Sequence, residues 1–249
     1  GRRQAEEIWA KLREPEATET FAIALADGLP EPARRYLLHA IAPGSPLARS
    51  VDLRMEGSIA LDPAMPPVSM RAEELLATPR GFVWRARIAS GPRHTRGFDL
   101  YADGRGALRW WLWGLLPVAN ASGPDVDRSA AGRVAAESIW LPSSLLPQQG
   151  TEWEAIDDDS AKAKVTVGDE RLELTLGIAK DGRPERLSML RWRTSASAGE
   201  PGFVLFGADG FSEERTFGGY TIPSDYGSAG GAGDEEAFLF PRVTEADFR

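Results

Sequence analysis

The chain has 249 residues, a formal net charge of −8 and no cysteine, which excludes disulfides, thiol nucleophiles and Cys-ligated zinc or iron–sulfur centres. Its 42% hydrophobic and 27% charged residues describe a globular protein with a core of its own, in one domain or two, and exclude wholesale disorder. The acidic balance argues against nucleic acid as a partner, and with only two histidines, His39 and His94, no metal or cofactor is expected.

No stretch approaches about 18 uninterrupted apolar residues, so no transmembrane helix is expected. Gly1-Arg2-Arg3 leads straight into a helical pattern, with no signal-peptide pattern before it. Ile8, Trp9 and Leu12 share one face of a helix over Gln4–Arg13, which Pro15 ends. Thr20–Ala26 reads as a second short helix, stopped by Gly28 and Pro30. A third opens at Glu31-Pro32, carries Tyr36, Leu37, Ala40 and Ile41 on one stripe, and closes at Pro43-Gly44.

From Ser50 the hydrophobic period changes to two. Val51, Leu53, Met55, Ile59 and Leu61 alternate with polar residues, as on a half-buried antiparallel strand. Met70–Leu76, Phe82–Ile88, Gly97–Ala102 and Ala107–Trp113 continue the series, with Asp103-Gly104 as a hairpin turn. Asn120–Pro124 reads as a loop. Asp125 or Asp127 then caps a central helix running to Trp140, where Leu141-Pro142 stops it. Strands resume at Thr151–Ile156, Ala161–Val167, Arg171–Ala179, Glu185–Arg193, Phe203–Phe206, Glu214–Ile222 and Ala237–Thr244. Thr194–Gly202 reads as a loop, and Ser228–Asp234 as a mobile low-complexity segment.

Hairpin-linked strands without βαβ alternation predict an α+β fold. The simplest arrangement is a single strongly curved antiparallel sheet, an open half-barrel, with the N-terminal helices and the central helix on its concave side. Residues 1–46 form the helical segment and residues 47–249 the half-barrel, with the central helix over about 127–140, one domain overall.

This order of elements resembles the lipoprotein-localisation carriers, LolA and LolB, and their periplasmic relatives. The stretches MRAEELLATPRGFVWRARI, GFDLYADGRGALRWW and RTFGGYTIPS carry the resemblance locally. Through LPEPARRYLLHAI, RWWLWGLLPV, SGPDVDRSAAGRVAAESIWLPSSLLP and FGGYTIPS the chain also resembles an uncharacterised bacterial family, a domain of unknown function. The carrier resemblance implies an apolar cavity plugged by helices, a lipophilic partner, and an extracytoplasmic or membrane-adjacent setting.

Two residue groups are candidates for a site. Trp84, Trp111, Trp113 and Trp140, with Tyr220 on a late strand, would line a cavity for a lipophilic molecule; the alternative is plain core packing. On the central helix, Asp127, Arg133 and Glu137 are the candidates for chemistry. Arg133 and Glu137 stand at i, i+4 and can pair; enclosed beside Trp140 they would form a head-group or acid–base site, and on the surface merely a solvated ion pair. No Gly-x-Ser-x-Gly elbow, phosphate-binding loop or EF-hand pattern is present. Three functions stay open: a binder of a lipophilic small molecule or lipid acyl chain; an enzyme on such a substrate, with Glu137 as acid or base and Arg133 holding an anion; and a protein-interaction module with a self-filled core.

Overall fold

Period-two alternation becomes two antiparallel sheets in the computed structural model, which describes residues 2–60, 66–90, 93–194, 201–209, 211–226, 230–231 and 239–249. Helix α1 is Arg2–Leu12 and α2 is Glu31–Ala40. Six strands follow: β1 (Val51–Ile59), β2 (Val68–Ala77), β3 (Gly81–Ser90), β4 (Arg93–Ala102), β5 (Arg105–Leu112) and β6 (Leu116–Ser122). Helix α3 (Pro124–Ala136) continues into short 3-10 turns over Glu137–Trp140 and Pro142–Leu145. The remaining strands are β7 (Glu152–Asp157), β8 (Ser160–Val167), β9 (Glu170–Ile178), β10 (Pro184–Arg193), β11 (Gly202–Asp209), β12 (Phe211–Phe217), β13 (Tyr220–Tyr226), β14 (Gly230–Gly231) and β15 (Leu239–Phe248).

Hydrogen bonding divides the expected single sheet in two. The first runs β12-β13-β15-β1-β2-β3-β4-β5-β6 and the second β14-β11-β10-β9-β8-β7. The division falls where α3 and its 3-10 turns carry the chain from the edge strand β6 to the opposite edge strand β7, so neither sheet closes. The architecture is α+β, antiparallel and open.

The inner face of the first sheet carries Val51, Leu53, Met55, Phe82, Trp84, Ala86 and Ile88. Across the core, the second sheet contributes Leu172, Leu174, Leu176, Leu187 and Met189. Helix α3 lies between the sheets, against β4, β5 and β6 on one side and β8, β9 and β10 on the other. Its approach is close because small residues face the strands: a Cβ built on Gly106 of β5 would stand 2.7 Å from the carbonyl oxygen of Val126 and 3.0 Å from Ala130 Cβ.

Of the N-terminal helices, α2 joins this inner core and α1 takes the opposite face of the first sheet. The cause is a second apolar row, Leu75, Val83, Phe98 and Leu100, which the Ile8/Trp9/Leu12 stripe of α1 covers. The expected Asn120–Pro124 loop is shorter, since Leu116–Ser122 pairs with β5 as the sheet's edge. Residues 195–200 of the expected Thr194–Gly202 loop, and most of the low-complexity Ser228–Asp234, lie outside the described residues.

Candidate functional site

Strand register assembles the site before any helix is added. Glu74 of β2 pairs with Trp84 of β3, Trp84 with Asp99 of β4, and Asp99 with Leu108 of β5, so these four side chains form one row on the inner face. The next row reads Ala72, Ala86, Gly97, Trp110. Its small members let the Trp110 indole lie across β4: a Cβ on Gly97 would meet Trp110 Cδ2 at 2.3 Å. Trp110 Nε1 then donates to Asp99 Oδ1 at 2.9 Å, and its ring meets Trp84 with centroids 5.6 Å apart.

Helix α3 brings Arg133 down onto this row. Its Nε donates to Glu137 Oε1 at 2.6 Å, its Nη1 to Asp99 Oδ2 at 3.2 Å and its Nη2 to Glu74 Oε1 at 3.3 Å. The guanidinium also lies over the rings of Phe82 and Trp84, at 4.5 and 4.9 Å. Planar forked donors and a weakly hydrated cation make arginine suited to such a place. Its three neighbouring carboxylates hold it charged even against desolvation.

Glu74 has no solvent exposure. Burial first, and then the charge of Glu137, push its carboxyl well above the usual carboxylate range, which favours the protonated form. Glu74 Oε2 and Glu137 Oε2 have no hydrogen-bond partner among the described residues. Asp99 is also raised, by burial, against the opposing pull of Arg133.

A second arginine completes the group. Arg191 of β10 donates from Nε to the Ser129 carbonyl at 3.2 Å and packs its guanidinium over Phe206 at 5.1 Å. Gly132 makes room for it, since a Cβ there would stand 2.8 Å from Arg191 Cγ. Burial, and then the Arg133 charge, lower the Arg191 pKa to about 10.

These groups close one end of a cavity of about 720 Å³ between the sheets. Trp84, Trp110, Ile88, Ile139, Trp140, Leu187 and Phe206 form its apolar wall; Asp99, Arg133, Glu137 and Arg191 are its charged members. A second groove, about 630 Å³, runs over the outer face beside α1. Pairs such as Arg54–Glu245 and Arg71–Glu56 cross it, and of the sequence candidates only Trp111 lines it, whereas Trp84, Arg133, Glu137 and Trp140 line the inner cavity.

The structure thus brings Trp84, Arg133, Glu137 and Trp140 together. The other sequence candidates stand elsewhere. Trp111 points to the outer face, against Phe98. Trp113 sits in the β5–β6 turn at φ 52° and is 47% exposed, because strand alternation ends at Leu112. Tyr220 is fully buried; its hydroxyl donates to the Pro46 carbonyl at 2.6 Å and accepts the Ala48 N–H at 3.0 Å, fastening β13 to the segment before β1. Asp127 does not cap α3, whose first residue Pro124 follows Gly123; it accepts the Gly106 N–H at 2.6 Å and pairs with Arg105 at 3.2 Å, clasping the helix to β5. Asp125 accepts Trp192 Nε1 instead of capping. Glu74, Asp99, Trp110 and Arg191 are absent from the sequence candidates. The signal for Glu74 is its phase, a carboxylate in step with Met70, Ala72 and Leu76.

Among the described residues no cluster of His, Asp and Glu is arranged to hold a metal ion, and the cation of the three carboxylates is Arg133. No described helix is long and apolar enough to cross a membrane.

Fold and site together define an open-sheet α+β protein with an inner cavity ended by an ionic cluster. The chain belongs to the DUF6544 family, a family of unknown function whose sequence profile matches residues 19–238. Among solved structures it is similar to a LolA superfamily protein from Nitrosomonas europaea, with a TM-score of 0.50 and 9% identity over 88% of this chain and 92% of that one, a likeness of fold. It also aligns with a putative outer membrane lipoprotein-sorting protein domain from Vibrio parahaemolyticus, with a TM-score of 0.44 and 10% identity over 90% and 93%. No curated protein matches the sequence.

Proposed function

We propose that the protein binds a lipophilic small molecule or a lipid acyl chain in the cavity between its sheets. One observation carries this: an unfilled, mainly apolar space of about 720 Å³ with its charged groups at one end, the form that small-molecule sites take. Interiors are otherwise close-packed, so a space of this size argues against a core filled by its own side chains. The β5–β6 hairpin adds support. It exposes Trp113, Leu115 and Leu116, Leu115 to 80%, while Val118 of the same hairpin lines the cavity. An apolar tip next to the cavity suits a protein that meets its ligand at a lipid surface.

The test is mass spectrometry of the purified protein after organic extraction, paired with titration of a fluorescent fatty acid into the lipid-free protein. The expected result is a lipid-sized adduct and saturable binding of the fluorescent fatty acid. Absence of both adduct and binding overturns the reading. The place of Glu137 in the cavity wall, with Arg133 Nε on one of its oxygens, supports a second reading, in which Glu137 acts as acid or base on a bound substrate. Chemical conversion of the extracted lipid by the parent protein, lost in Glu137→Gln, selects that reading.

A further inference from the structure

The donor and acceptor balance of the ionic cluster leaves one cationic fork over. Arg133 spends Nε, Nη1 and Nη2 on three carboxylates. Asp99 spends one oxygen on Arg133 and the other on Trp110. Glu74 and Glu137 each give one oxygen to Arg133, and the other oxygen of each has no hydrogen-bond partner among the described residues.

Arg191 itself forms no ion pair among the described residues, and only its Nε is used, by the Ser129 carbonyl. A guanidinium carries five N–H donors, so both terminal nitrogens keep theirs. The fork is held in place from three sides. The Ser129 carbonyl fixes Nε, the Phe206 ring underlies the guanidinium, and the missing side chain of Gly132 admits the stem. It borders the cavity on the second sheet, next to Leu187, Phe206 and Ala208. Arg191 is half-buried with neither terminal nitrogen spent on a carboxylate, and a ligand oxyanion in the cavity could take both by a two-pronged bond.

We infer that the cavity takes an anionic amphiphile, a long-chain carboxylate, with its head group on Arg191 and its chain along the Trp84, Trp110 and Trp140 wall. This rests on the cavity being a lipophile site and assigns the polar end of that site to Arg191. Arg133, each of whose nitrogens already donates to a carboxylate, holds the carboxylate row in place.

The test compares palmitate with hexadecanol, which has the same chain and no charge, by displacement of a fluorescent lipophile from the parent protein, Arg191→Gln and Arg191→Lys. The parent protein is expected to prefer palmitate by about tenfold or more, the scale of a charge-assisted hydrogen bond. Arg191→Gln should lose that preference while its hexadecanol affinity stays unchanged. Arg191→Lys should keep part of it, as a point charge without the fork. Equal binding of the two ligands by the parent protein, or a palmitate preference undiminished in Arg191→Gln, overturns the assignment of Arg191. Failure of the parent protein to bind either ligand overturns the lipophile site itself. Unchanged melting temperatures and hexadecanol binding show that the variants are folded.

Discussion

At the scale of the residue, the cluster around Arg133 is where sequence chemistry and burial are most at odds. A cation as enclosed as Arg133 is held by anions, and three buried carboxylates around one cation are most stable when one of them is neutral. Glu74 is that one. Its carboxyl is raised well above its ordinary value near 4.5 by burial and by Glu137. The folded protein therefore holds a proton that the unfolded chain releases, and stability must fall as pH rises from about 4.5 through the raised pKa. Urea denaturation of the parent protein between about pH 5 and about pH 8 should show this loss, at no more than about 1.4 kcal/mol per pH unit from this group. Glu74→Gln keeps the shape and a donor toward Glu137, and its curve should be flatter over that interval. His39, raised by its 2.9 Å hydrogen bond to Glu214, also loses stability with rising pH, so the difference between the two proteins isolates Glu74. Identical pH profiles would show that Glu74 is ionised in the fold.

At the scale of the element, much was readable and the failures have physical causes. The i, i+4 spacing of Arg133 and Glu137 is local, and the pair forms as the spacing implies. Alternation along Ala107–Trp113 likewise puts Trp110 and Trp111 on opposite faces of β5. Which of those faces is the inner one depends on β4 as a neighbour and on where α1 and α3 settle, and both are long-range facts. The same holds for Glu74 and Asp99, which become partners of α3 only through the register of three strands. The expected Asp125 or Asp127 cap is absent because Gly123 and Pro124 open α3 without a side-chain cap and leave Asp127 to accept from the β5 backbone. Gly97 tests the element directly. A Cβ there would also lie 2.5 Å from the Arg109 carbonyl oxygen, so neither backbone nor indole leaves room. Gly97→Ala should destabilise by about 1–3 kcal/mol, the usual cost of overpacking. It should also shift the Trp fluorescence, because Trp110 must leave Asp99. A variant with parental stability and spectrum would mean that this packing is not tight.

At the scale of the whole molecule, the two open sheets and the helix between them account for why the core is not filled. Helix α3 packs closely through Ala130, Ala131 and Gly132, and after it Glu137, Ile139 and Trp140 border the cavity, with Trp140 Nε1 anchored on the Pro223 carbonyl of β13 at 3.1 Å. Helix propensity and strand alternation do not specify the volume of that cavity, because it follows from how two sheets meet around a third element. Ala208 of β11 lines the cavity and is buried, which makes it the place to ask whether the space serves a ligand. In a close-packed core, Ala208→Trp would be overpacked and cost about 1–3 kcal/mol or more. Inside a space of about 720 Å³ the indole can lie against Phe206 and Leu187 without displacing them, so the thermal midpoint should be unchanged or higher through added apolar burial. The same ring occupies the volume that the ligand's chain would take. Saturable binding of the fluorescent fatty acid should therefore drop by about tenfold or more, the effect of losing a few buried methylene contacts. A thermal melt and a titration on the two proteins decide the matter. A large fall in midpoint means that the cavity is closed in solution, whereas a preserved midpoint with parental affinity means that the fatty acid binds elsewhere on the protein.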